Sequence, residues 1–109
     1  MSRHDAQARC GARDVLVVAG YGRPLREVFL QVLTAHEGDP GAEEDVLYAS
    51  LHEPWRDWTD LATVIGQLAR LGIVVPDSLL VAVRLDQRHH AGNRVVEHHT
   101  DRPPTVLAG

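Results

Sequence analysis

The stretch Pro24-Leu25-Arg26-Glu27-Val28-Phe29-Leu30-Gln31-Val32-Leu33-Thr34-Ala35 decides the fold, because it satisfies two templates at once. Leu25, Val28, Phe29, Val32 and Leu33 fall on one face of a helix. Val28, Leu30, Val32 and Thr34 fall on one face of a strand, and Val28, Phe29, Val32 and Thr34 are residue types that favour strands. The residues immediately downstream break the tie. His36-Glu37-Gly38-Asp39-Pro40-Gly41-Ala42-Glu43-Glu44 is turn-rich and acidic, and it leads into the strand-like run Asp45-Val46-Leu47-Tyr48-Ala49-Ser50-Leu51. Two such runs around a Gly-Asp-Pro-Gly loop predict a β-hairpin. The alternative is a β-α-β crossover with residues 24–36 helical.

Upstream, Asp14-Val15-Leu16-Val17-Val18-Ala19 is a Val-rich run closing at Gly20-Tyr21-Gly22, which reads as a buried strand ending in a turn. Further along, Thr59 or Asp60 caps a helix whose apolar positions are Leu61, Val64, Ile65, Leu68 and Leu71, with Gly72 as its stop. Ile73-Val74-Val75 is extended because Pro76 bars its predecessor from helical angles. Pro76 and Asp77 open a second helix through Leu79, Leu80, Ala82 and Val83, running to residues 88–91 and ending near Gly92-Asn93. Arg94-Val95-Val96-Glu97-His98 is a last strand. The expected fold is therefore α+β: a small antiparallel sheet of about four strands (14–20, 25–35, 46–51 and 94–98) packed against two consecutive helices (60–71 and 76–90). Residues 13–99 form the domain in this reading. The polar segment 1–12 and the Pro-containing segment 100–109 are expected to be disordered tails.

Composition narrows the function classes. The 109 residues suit one domain, and 44% hydrophobic with 24% charged residues is the balance of a globular chain, neither disordered nor membrane-embedded. Eleven basic against fifteen acidic residues give a net charge of −4, opposite to the footprint of a phosphate-backbone binder, so nucleic acid is not an expected partner. Every basic residue is Arg, which excludes Schiff-base and phosphate-loop lysines and also reflects a GC-rich coding bias. With Cys10 the only cysteine, no intramolecular disulfide can form. No apolar signal region and no run long enough to span a membrane is present, and a cytoplasmic location is the simplest expectation.

The chemistry-bearing residues give weak signals. His89-His90 and His98-His99 are adjacent pairs at the ends of the second helix and last strand, and they are weak metal candidates. Neighbouring helical residues point about 100° apart, so each pair offers one ring to a common ion at most. Gly20, Gly22 and Arg23 could hold an anion if a helix came next, but the third glycine of a dinucleotide fingerprint is replaced by Leu25. The two helices invite a helix-turn-helix reading, which the near-neutral second helix argues against. The acidic run Glu37, Asp39, Glu43, Glu44 and Asp45 lacks calcium-loop spacing and reads as a solvated hairpin tip. Ser50 and Ser78 have no distinguishing context, so no catalytic set and no cofactor are expected. Trp55, Arg56 and Trp58 lie in a connection as lids over the core or as an interface anchor. The resulting expectation is a non-enzymatic module that works through contact with a protein partner or as a homodimer. The alternatives are a histidine-based metal binder and a small anion- or ligand-binding enzyme domain.

Overall fold

The computed structural model describes residues 1–34 and 46–108. It is α+β, with a six-stranded mixed sheet packed against two helices. The strands are β1 (Ser2–Cys10), β2 (Arg13–Gly22), β3 (Glu27–Thr34), β4 (Val46–Ala49), β5 (Arg94–His98) and β6 (Thr105–Ala108), in the spatial order β4-β3-β2-β1-β5-β6. The helices are α1 (Leu61–Leu71) and α2 (Asp77–His89).

Residues 27–34 resolve the ambiguity as a strand. Val28, Leu30, Val32 and Thr34 are buried and alternate with more accessible positions, and β3 pairs antiparallel with both β2 and β4. The burial period is two, so the β-branched residues settle the contest between templates. The loop expected to close the hairpin between β3 and β4, with its acidic run, lies outside the described residues.

The sheet is larger than the sequence suggests, and two expectations are corrected. The segment 1–12 is not frayed: Ser2–Cys10 forms β1, antiparallel to β2 and parallel to β5. The sheet is consequently mixed rather than antiparallel. The segment 100–109 is not simply a tail either, because Thr105–Ala108 adds β6 to the edge of β5. The cause in β1 is plain in its side chains. Its inward positions are Ser2, His4 and Ala6, all fully buried, followed by Ala8 and Cys10 packed against the core. Small and polar residues give the strand period without its hydrophobic signature.

One face of the sheet carries the core. Ala6, Val17, Ala19, Tyr21, Val28, Leu30 and Val32 meet Leu61, Val64 and Leu68 of α1 and Leu79 and Val83 of α2. Asp60 caps α1 by accepting from the Ala62 amide at 2.9 Å, and Gly72 at φ 71° ends it in the left-handed conformation. α2 ends where expected, at His89, but its left-handed cap is His90, a non-glycine residue at φ 52°, rather than Gly92-Asn93. The Tyr21 hydroxyl holds that ring through His90 Nδ1 at 2.7 Å. Gly20 is dictated by close approach, since a Cβ there would lie 2.1 Å from the Ser2 carbonyl oxygen and against the Phe29 ring.

Candidate functional site: a buried serine-histidine relay

β1 and β5 run side by side in register His4↔Val96 and Ala6↔His98, so His4 and His98 face the helices from neighbouring strands. α2 lies over them. Its residues Ser78 and Asp86 are eight apart, just over two turns, and therefore share one face about 12 Å apart along the axis. The helix thus places a hydroxyl at one end and a carboxylate at the other of a pair of imidazoles.

The contacts form one unbroken chain. Ser78 Oγ lies 2.9 Å from His98 Nδ1. His98 Nε2 lies 2.8 Å from His4 Nδ1, with ring centroids 5.0 Å apart. His4 Nε2 lies 2.5 Å from Asp86 Oδ2, and Arg94 donates to Asp86 Oδ1 at 3.2 Å. His4, Asp86 and His98 are 0%, 2% and 3% exposed, whereas Ser78 is half-buried.

The carboxylate fixes one end of the hydrogen-bond polarity. Asp86, paired with Arg94, only accepts, so His4 donates to it from Nε2, and in the neutral tautomer of His4 the Nδ1 atom accepts. His98 must then donate from Nε2 and accept at Nδ1, which leaves Ser78 as the donor into that lone pair. Every buried polar side-chain atom among the described residues is satisfied by a partner. Burial is the main cause that pushes the His98 pKa down to about 4, helped by charge repulsion between a protonated His98 and the neighbouring His4, His99 and Arg94. His98 is therefore neutral at pH 7, with the free lone pair that the chain requires.

The residues singled out from sequence are dispersed. His98 belongs to the relay, but its partners are His4 and Ser78, neither of which carried a sequence signal. His89 is exposed, His90 caps α2, and His99 lies 3.3 Å from the Thr105 hydroxyl. The two His pairs do not converge, and no group of three or more His, Cys, Asp or Glu able to hold a metal occurs among the described residues. Gly20 and Gly22 lie in β2, and Arg23 begins the turn into β3, closed by the Arg26 amide on the Arg23 carbonyl at 3.3 Å. A strand comes after this turn, so the helix dipole that the anion reading needed is missing. The crossover fold is excluded on the same ground.

The tryptophans separate. Trp58 is buried in the core and donates from its indole nitrogen to the Glu53 carbonyl at 2.9 Å, while Trp55 is 73% exposed. Arg56 pairs with Glu53, whose carboxyl it holds below the usual range, and Glu53 also accepts from Tyr48 at 2.5 Å. Burial first, and then Glu53, raises the Tyr48 pKa to about 12. This connection also closes part of one sheet edge. The Trp58 carbonyl and the Ser50 hydroxyl accept from the β3 amides of Val28 and Leu30 at 2.7 and 3.2 Å.

A hollow of about 270 Å³ adjoins the end of β5, lined by Gln7, Glu97, His98, His99 and residues 100–102. Its charges are of both signs. No helix among the described residues is long and apolar enough to cross a membrane. The chain matches no protein-family model, and no curated protein and no solved structure is significantly similar to it.

Proposed function

We propose that this chain is a protein-contact module that self-associates by strand addition at β6. The observation that carries the reading is an uncapped edge: all four residues of β6 are exposed, with Val106 at 63% and Leu107 at 55%, and none is charged. Natural edge strands usually carry charges or covering elements that block such pairing. A two-fold axis normal to the sheet sets β6 antiparallel to β6 of a second copy and closes the assembly at two chains.

The opposite edge is the poorer candidate, because beyond β4 the amides of β3 are already engaged by Ser50 and Trp58. Trp55 offers a second contact for a partner protein, because its ring is large, exposed and flanked by the Glu53–Arg56 pair.

Sedimentation of wild type and Leu107→Lys tests the proposal. The expected result is a dimer for wild type and a folded monomer for the variant. A wild-type monomer at high concentration, or a variant that dimerises as well as wild type, rejects it.

A further inference from the structure

We propose that Ser78 is a nucleophile that accepts an acyl group from small activated carboxylic esters, with His98 as its base and with His4 and Asp86 as positioning residues. Ser78 forms the hydroxyl end of the relay and lies half-buried in the first turn of α2, whereas both imidazoles behind it are closed to solvent. With His4 in its neutral tautomer the chain of polarity runs one way, from the Ser78 hydroxyl through His98 and His4 to Asp86.

That direction matters because the chain can take up one proton without orphaning a buried group. When Ser78 Oγ bonds to an ester carbonyl carbon, its proton passes to His98 Nδ1. The proton on His98 Nε2 then passes to His4 Nδ1, and the positive charge comes to rest beside Asp86. His98 emerges neutral, so the buried ring disfavoured as a cation need not remain one. Collapse of the tetrahedral adduct breaks the bond to the leaving oxygen, which receives the proton from His98 Nδ1 as His4 Nδ1 returns its proton to His98 Nε2. Water completes the cycle by the same route: its proton goes to His98, its oxygen bonds to the acyl carbon, and Ser78 leaves with a proton restored.

One observation favours a carboxylic ester over a phosphoester: the chain has no Lys and a net charge of −4, and Arg94, which reaches the relay, is engaged by Asp86, while Asp77 adds a carboxylate to the first turn of α2 beside Ser78.

The test uses 4-nitrophenyl acetate with the full chain. The expected result is a burst of nitrophenolate stoichiometric with protein, and one acetyl group located on Ser78 by peptide mass mapping. Ser78→Ala should remove the burst, and His4→Gln should slow acylation about 10²-fold and change its pH profile. Acetylation mapping only to other residues, or no acetyl-protein at all, overturns the proposal. Because the mapping is done on wild type, its outcome does not depend on any variant folding.

Discussion

Single residues here are constrained by what lies within a few ångströms. Gly20 is the sharpest case: Gly20→Ala puts a methyl group onto the Ser2 carbonyl and the Phe29 ring. It should cost about 1–3 kcal/mol, read as a lowered midpoint in urea, through the overpacking that any forced separation of β1 and β2 entails. His98 gives a pH signature. Its folded pKa of about 4 lies below its ordinary 6.5, so only the unfolded chain takes the proton between these values. The contribution of His98 to stability should therefore be constant above pH 6.5, fall by about 1–2 kcal/mol as pH drops to 4, and bring no further loss below that. Glu53 and Asp57, whose carboxyls are held low by Arg56 and Thr59 respectively, contribute their losses at more acid pH. Thermal melts across the range separate the two windows, and His98→Gln should flatten the upper one.

At the scale of elements, legibility tracked the side chains that face inward. α1 was readable because Leu61, Val64 and Leu68 repeat at helical spacing and are buried, with Asp60 and Gly72 marking its ends. Leu68→Ala should accordingly cost about 2–5 kcal/mol, measured by the same urea midpoint. β3 was readable only as a choice between two patterns, settled by its partner strands. β1 was hidden because Ser2, His4 and Ala6 occupy the positions where a strand usually shows Val or Ile. β6 was hidden because Val106 and Leu107 come after two prolines and make too short a run to signal anything. The relay was illegible for a related reason. Its members come from β1, α2 and β5, separated by up to 94 residues, and only a parallel pairing with an unrecognised strand brings His4 against His98.

At the scale of the molecule, the sheet has an asymmetric architecture. α2 covers β1, β2 and β3 on one face and α1 covers β3, β4 is extended by a connection that caps the β3 amides, and β6 ends the other side without cover among the described residues. This asymmetry is what makes closed, two-fold association at β6 the central functional claim. Replacing Trp55 by Ala, at an exposed position away from the core, should leave the unfolding midpoint within about 0.5 kcal/mol of wild type. Trp58→Ala should lower it by about 3–5 kcal/mol, because that ring is buried against the core. The most direct measurement of the claim is isotope-filtered NMR on an equimolar mixture of labelled and unlabelled chains. The account predicts contacts between copies involving Val106 and Leu107. Contacts between copies confined to the Trp55 connection or the β4 edge, or none at concentrations where sedimentation finds dimer, would contradict it.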